Sequence, residues 1–448
     1  MNDIPTKEQE QKGIFGIRIS SVGPGHISGQ DASHEPSNMD LAMKLHYLRA
    51  VYYFQSPAFS EIGVNQLKAQ TFDWLEHFYV TCGRLRRADP SGRPYIKCND
   101  CGVRFIEAEC TKTLDEWRQM KDPDLDHHEL QNSVHFDKLL VPNQIIGPDL
   151  HFSPLVLIQV TKFRCGGASV GLNWSHLLGD VFSLTTFINA LGSLSSGHHL
   201  PLSFTHKAQI LLDKTEHIPT DQSYSDPVCI KRVGPVGDHW TIIAQEHNKM
   251  ELFSFQLTDT QINELKRLNM CGHEQKIPSF GLICAVIWKS IAHVKNGPEP
   301  NTVTVCRGKD PKESLLVNGQ SVFVVEAQFS VSKGDPLDLA ALINDASEDE
   351  RRKIEETMER EKGLSDFMVY GANLTFVDME GADLYGFKVQ GNRPIYVNCF
   401  LDSIGDDQEG VVFVLPCPNK NEGNLITLMM PQSYGHQLML RLKNELFA

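Results

Sequence analysis

Apolar and polar side chains alternate over residues 14–21, the period of a β-strand. Gly, Ser and Pro then dominate as far as Asn38, which predicts a loop. In 67–80 the period changes: Leu67, Phe72, Leu75, Phe78 and Tyr79 fall on one face of a helix. Residues 95–106 predict two strands joined by a tight turn at Asn99-Asp100. Two more strands are expected at 155–163 and 168–174, split by Cys165-Gly-Gly167. Phe182, Leu184, Phe187, Ile188 and Leu191 then return to helical spacing and predict a helix over 181–191. Periodicity fades over 195–249, where His, Pro, Ser, Thr and Asp accumulate, as in an interdomain crossover. Helical patterns resume at 258–268 and 279–294. Residues 347–362, rich in Glu, Arg and Lys, predict a solvated helix. From 385 onward strand signals dominate, most clearly at 411–415 and 425–430. Trp174 and Trp288 sit in apolar stretches and belong to the expected core. The pattern carries no internal repeat and resolves into two α+β halves.

Length agrees with more than one domain, since 448 residues is about three times a typical single domain. Lys and Arg total 42 against 56 Asp and Glu, a formal charge of −14. A chain this acidic is a poor generic binder of nucleic acid. The longest unbroken apolar run, Leu282 to Trp288, is seven residues, against roughly 20 for a transmembrane helix. The first thirteen residues lack the apolar block of a signal peptide. Eleven cysteines, an odd number spread along a long chain, fit a reducing compartment better than a disulfide scaffold. A soluble cytosolic protein is expected.

The chemistry worth weighing centres on His176-Leu-Leu-Gly-Asp180, directly after the strand that ends at Trp174. A histidine leaving a buried strand into a Gly-containing turn can present its ring at a cleft while its backbone stays fixed. Such a ring is a candidate general base, because its ordinary pKa lies near neutrality. Spacing alone is weak evidence, and the same spacing recurs at His217 and Asp221 inside the crossover. Cys98 and Cys101 have C-x-x-C spacing, but no second ligand pair lies nearby to complete a zinc site. The pair also falls in an expected hairpin rather than at the strand-to-helix junction of a redox site. Asp124, Asp126, His127 and His128 read as a solvated loop. Gly166-Gly167 and Gly23-Pro-Gly25 fit neither a dinucleotide fingerprint nor a Walker loop. No G-x-S-x-G elbow is present.

The order and surroundings of these segments resemble the plant acyl-CoA-dependent acyltransferases called BAHD. That family is marked by HxxxD near the middle of the chain and DFGWG near the C-terminus. Residues 82–86 (Cys-Gly-Arg-Leu-Arg), 98–100, 102–108, 159–167, the motif at His176 and Asp180, and Ala285-Val-Ile-Trp288 carry the likeness. The resemblance implies an α+β fold of two chloramphenicol-acetyltransferase-like domains, with mixed sheets flanked by helices and a channel between them. On this chain the domains would be 1–195 and 251–448, joined by a crossover at 196–250. The resemblance implies that His176 takes the proton of an acceptor hydroxyl or amine as it attacks an acyl-CoA thioester. Asp180 would support the His loop structurally. No metal, no covalent acyl-enzyme and no tightly bound cofactor would be required, and acyl-CoA would be the ligand or substrate.

Several positions depart from that pattern. Ser175 and Val181 stand where active members often have a second His and a Gly. The DFGWG position reads Asp383-Leu-Tyr-Gly-Phe387, where only Asp383 matches; the family's Asp has a structural role, pairing with an Arg to fix the channel wall. A usual Gly-Asn pair reads Asn318-Gly319, and its Arg-rich, Pro-rich approach is reduced to Arg307-Gly-Lys-Asp-Pro311. Residues 39–53, 147–155 and 173–183 resemble the eceriferum-two-like and glossy-two-like branch, which shares the degenerate DFGWG. That branch is associated with cuticular wax and helps a membrane-bound ketoacyl-CoA synthase extend very-long-chain acyl-CoAs. The resemblance therefore implies an accessory protein of elongation. Its partners would be the synthase and long-chain acyl-CoA, and the synthase would recruit it from the cytosol to the endoplasmic reticulum surface. The alternative is an acyl-CoA-dependent O- or N-acyltransferase using His176 as base.

Overall fold

A computed structural model describes residues 6–55, 64–120, 133–142, 152–198, 225–233, 250–269, 278–308, 316–401, 408–419 and 422–446. Asp124, Asp126, His127, His128, His217 and Asp221 lie outside them, as do 147–151 and 309–311.

Two six-stranded sheets dominate. The first runs in the order Ile14–Val22, Val103–Cys110, Val156–Phe163, Ala168–Ser175, Tyr47–Phe54, Tyr396–Leu401. Its second and third strands are parallel and its other pairs antiparallel. The second sheet runs Met250–Leu257, Asn424–Pro431, Val411–Pro416, Leu374–Asp378, Thr302–Arg307, Ser321–Glu326, with parallel pairing on both sides of Leu374–Asp378. Both are mixed sheets flanked by helices, as the resemblance implies. Tyr396–Leu401 belongs to the C-terminal half of the chain yet closes the first sheet against Tyr47–Phe54. The two sheets therefore do not divide the sequence at one point.

Central strands of the first sheet are buried along their whole length, so neither face of Tyr47–Phe54 or Ala168–Ser175 is exposed, although Ser169, Asn173 and Ser175 line one side of the latter. The helices Val64–His77 and Val181–Ser195 belong to the same core. There Trp74 and Trp174 flank Phe187, with ring centroids 4.0 and 4.9 Å from it. Trp288, in Ser279–Val294, anchors the second core and donates its indole N–H to the carbonyl of Pro300 at 2.6 Å.

The expected helices at 181–191, 258–268 and 279–294 form as Val181–Ser195, Asp259–Asn269 and Ser279–Val294. The charged segment forms Arg351–Arg360, which buries Ile354, Thr357 and Met358 and laces its outer face with i,i+4 Arg–Glu pairs. The expected hairpin at 95–106 is corrected. Pro94–Lys97 pairs with Arg84–Arg87 in a small separate sheet, while Val103–Cys110 joins the first large sheet. Asp100 and Gly102 take left-handed φ values of 53° and 82°, and the Gly102 N–H goes back to the carbonyl of Cys82 at 3.1 Å. The link thus redirects the chain between sheets. Beyond 385 the expected strands form as Tyr396–Leu401, Val411–Pro416 and Asn424–Pro431, but a helix the strand signals did not predict, Gln432–Leu446, follows them.

Candidate functional site

The site begins at Ser37, which caps the short helix Asn38–Ala42 in a reciprocal box with Asp40. The chain then passes His46 into the strand Tyr47–Phe54, paired with Ala168–Ser175 so that Tyr47 faces Ser175. One residue beyond each end of that pairing, the His176 N–H donates to the His46 carbonyl at 2.9 Å. The backbone of the candidate base is therefore an extension of the ladder.

From there the chain turns through a 3₁₀ turn, His176–Leu178, to Gly179, whose φ is 135°. A Cβ at Gly179 would fall 2.3 Å from Ser183 Oγ and 2.9 Å from Val317 N, so only glycine fits. Trp174 Nε1 donates to the Gly179 carbonyl at 2.9 Å and ties the turn to the core. Asp180 is the N-cap of Val181–Ser195. Its Oδ1 accepts from the N–H groups of Phe182 (3.0 Å) and Ser183 (3.3 Å), and its Oδ2 from Gly319 N–H at 2.9 Å. These contacts all go to backbone amides and none to the His176 ring.

The second half of the chain completes the turn. Asn318 Nδ2 donates to the His176 carbonyl at 2.8 Å and to Asp40 Oδ1 at 2.7 Å, tying three distant segments together. Ser183 Oγ exchanges hydrogen bonds with the carbonyl and N–H of Val317, both at 2.9 Å. Gly308 meets the first turn of the helix from the other side, where a Cβ would lie 1.9 Å from the Phe182 ring.

The ring of His176 is fully buried. Its Nε2 lies 3.1 Å from the hydroxyl of Tyr370, which donates to Gln320 Oε1 at 2.6 Å. Its Nδ1 is buried without a hydrogen-bond partner. Burial pushes the imidazole down to about 4, opposed by the smaller influence of the polar groups of Asn318 and of its own backbone near the ring. Burial likewise pushes Asp180 up to about 6, opposed by the backbone N–H groups around it. His46 is held well below the ordinary histidine range by burial and then by its proximity to His176. Its Nε2 accepts from the N–H groups of Val369 (3.0 Å) and Tyr370 (3.3 Å). The ring centroids of His46 and His176 stand 5.1 and 5.2 Å from that of Tyr370.

Asp383 is not brought to this place. It is exposed, and the amide of Asn189 donates to both its carbonyl (2.9 Å) and its Oδ2 (3.3 Å). Asn189 sits nine residues along the helix from Asp180, about 13 Å at the ordinary rise. Among the described residues no Arg pairs with Asp383; Arg307 instead stacks on Phe280 and Phe323. The rest of the altered motif turns inward, and Phe387 packs edge-on against Tyr52 and Phe54 at 5.4 and 5.5 Å. Of the cysteine pair, Cys98 is buried and Cys101 exposed, and both are free.

Sequence reasoning singled out His176 and Asp180 but missed His46, Tyr370, Gln320 and Asp40. Two of the missed residues had a signal: Asp40 and His46 fall inside the branch-like segment 39–53. Asn318 stood out only as an altered landmark. Tyr370 carried none.

Two mixed sheets with a histidine turn stitched between the two halves of the chain define the architecture of the acyltransferase class. A solved structure of F. graminearum TRI101 complexed with coenzyme A and T-2 mycotoxin matches this fold with a TM-score of 0.67 at 14% identity, covering 92% of this chain and 97% of that one. The Transferase family model matches residues 26–307, and the chain belongs to that family, the BAHD proteins. It is 38% identical to Protein ECERIFERUM 26-like of Arabidopsis thaliana over 95% of this chain and 94% of that protein. It is 34% identical to Protein ECERIFERUM 2 of the same plant, over 94% and 95%.

Proposed function

We propose that this protein is an accessory factor of very-long-chain fatty acid elongation in cuticular wax biosynthesis, acting with a ketoacyl-CoA synthase and without using His176 as a base. The observation that carries this reading is the state of His176. Both ring nitrogens are buried, Nε2 already faces a protein hydroxyl, and the pKa is held at about 4. A base that weak and that enclosed is poorly matched to a proton transfer at neutral pH. The ECERIFERUM relatives support the placement in the wax branch.

In this reading Asp180 supports the turn by capping the helix, and Asp383 has a structural place against Asn189. Residues 1–195 and 251–448 are the two domains, 196–250 the crossover, with Tyr396–Leu401 returned to the first sheet. Long-chain acyl-CoA is the ligand; the related fold of TRI101 is complexed with coenzyme A. No helix among the described residues is long and apolar enough to cross a membrane. The synthase therefore brings the protein from the cytosol to the endoplasmic reticulum surface.

The test is the acyl-chain profile of cells expressing a wax-type ketoacyl-CoA synthase, with and without this protein. Longer products are expected only when both are present, together with co-purification of the two from membranes. Extension without the synthase would refute the accessory role. The second reading, acyl transfer from acyl-CoA to a hydroxyl or amine, draws on the intact turn and the neutral ring. It requires CoA release with some acceptor that falls roughly 10²–10⁴-fold in His176→Ala.

A further inference from the structure

A general base must hold a lone pair within hydrogen-bond reach of the proton it removes. At His176 that position is already filled by the hydroxyl of Tyr370, 3.1 Å from Nε2 and supplied by the chain 194 residues away. Tyr370 is held there by His46, whose ring Nε2 accepts the N–H groups of Val369 and Tyr370 while its carbonyl accepts the His176 N–H. A single residue thus fixes both partners of the contact. His46, His176 and Tyr370 are all at most 1% exposed.

The direction of the bonds follows from the proton inventory. A tyrosine hydroxyl has one proton, and Tyr370 donates it to Gln320 Oε1 at 2.6 Å. With that proton given to Gln320, the His176 contact is made by Nε2–H donating to Oη, which leaves the ring's lone pair on the buried Nδ1, where no hydrogen bond of ordinary geometry forms. We propose that Tyr370 caps the candidate base: its hydroxyl occupies the acceptor's position at Nε2 and, with its proton given to Gln320, holds the imidazole in the tautomer that has no lone pair there. This rests on the reading that His176 does no chemistry in the native protein, and it supplies the cause. Tyr370 acts through His176 and is a positioning residue.

Removing the ring opens Nε2. With the proton on Nδ1, Nε2 takes a proton from water as the water oxygen bonds to the thioester carbonyl of an acyl-CoA. The carbon–sulfur bond breaks, the imidazolium returns the proton to the departing thiolate, and the products are a fatty acid and free CoA.

The experiment has two arms on the full chain. In the first, ring-nitrogen NMR of ¹⁵N-histidine-labelled protein is recorded for wild type, Tyr370→Phe and Gln320→Leu, with His176→Asn to assign the signal. Wild type should show a protonated, pyrrole-type Nε2. Gln320→Leu should move the proton to Nδ1, because the tyrosine then donates to the ring; Tyr370→Phe should shift the His176 signals by removing the partner. A purely structural tyrosine would move none of them. Identical His176 signals in wild type and Tyr370→Phe, or a pyridine-type Nε2 in wild type, would overturn the assignment. In the second arm, free CoA is measured with stearoyl-CoA. Tyr370→Ala should release it roughly ten-fold or more faster than wild type, a gain lost when His176→Ala is added. Equal rates in wild type and Tyr370→Ala would overturn the cap. Should Tyr370→Ala not fold, the first arm decides with variants that keep the ring or lie beside it. His176-dependent CoA release by the wild-type protein would instead defeat the accessory reading, so the two failures are separable.

Discussion

The turn that carries His176 and the segment that carries Asp383 grip the same helix, Val181–Ser195, at different points along it. At the N-terminal end, Asp180, Ser183 and Asn318 stitch the turn to Val317, Gly319 and Asp40 through buried hydrogen bonds. Towards the C-terminal end, Asp383 meets Asn189 at the surface, and Ser195 Oγ donates to the carbonyl of Lys388 at 3.0 Å. The first region keeps His176 and Asp180 of the family motif, although Ser175, Val181 and Asn318-Gly319 depart from it, and the second keeps only Asp383. Yet in the first the ring that would do chemistry is sealed. What the retained motif preserves here is a backbone junction between the two halves of the chain, and that junction needs Gly179, Asp180 and Asn318 whether or not a proton moves.

That contrast sets the expected size of substitutions. Gly179→Ala should be the most damaging, because the new Cβ meets Ser183 Oγ and Val317 N at a left-handed φ. A loss of about 3 kcal/mol or more in denaturant unfolding is expected. Asn318→Ala removes the donor to His176 and Asp40, leaving Asp40 Oδ1 without that partner and the His176 carbonyl with the Gly179 N–H alone, for about 1–3 kcal/mol. Neither should depend on acyl-CoA. A loss below about 1 kcal/mol in both would mean that the junction is not what the motif maintains.

Acid sharpens the comparison. His46 and His176 have folded pKa values below that of free histidine, so the unfolded chain binds their protons first. Their stabilising contribution is full above about 6.5 and is lost as pH falls towards 4. Asp180, and Asp137 buried beside Tyr53 and Asn398, are each pushed up to about 6 by burial and act with the opposite sign. The folded state binds their protons first, so stability rises as pH falls through 6 towards their ordinary value near 4. Asp180→Asn removes one opposing group. The advantage of wild type over this variant should grow by about 1 kcal/mol between pH 7 and pH 5, measured by urea unfolding. A constant difference would place the carboxylate in water rather than in the junction. Smallest of all, Asp383→Ala at the exposed end should change stability by no more than about 0.5 kcal/mol.

The parts of the molecule that were legible in the sequence are those whose signal is local. The helix over 181–191 announced itself through Phe182, Leu184, Phe187 and Ile188, and all four are buried. The hairpin at 95–106 failed because Pro94–Lys97 and Val103–Cys110 answer to different sheets, a choice made by Arg84–Arg87 and Ile14–Val22 far from the turn. The helix Gln432–Leu446 was hidden behind Asn424–Pro431, a strand whose apolar run is broken only by Thr427 and whose signal masks the helical spacing of Tyr434, Leu438, Met439 and Leu442. At the site, His176 and Asp180 stood out through the strand before them and the family resemblance, since their spacing alone recurs at His217 and Asp221. Tyr370 had no motif, and its effect on His176 exists only where two segments 194 residues apart meet.

Whether the enclosed base is needed separates an accessory protein from an acyltransferase. The measurement is the acyl-chain profile of cells carrying a wax-type ketoacyl-CoA synthase, with no addition, with the wild-type protein, and with His176→Ala at matched abundance. Equal lengthening by both proteins is the predicted result. Lengthening by the wild type alone would contradict the account and return His176 to the chemistry.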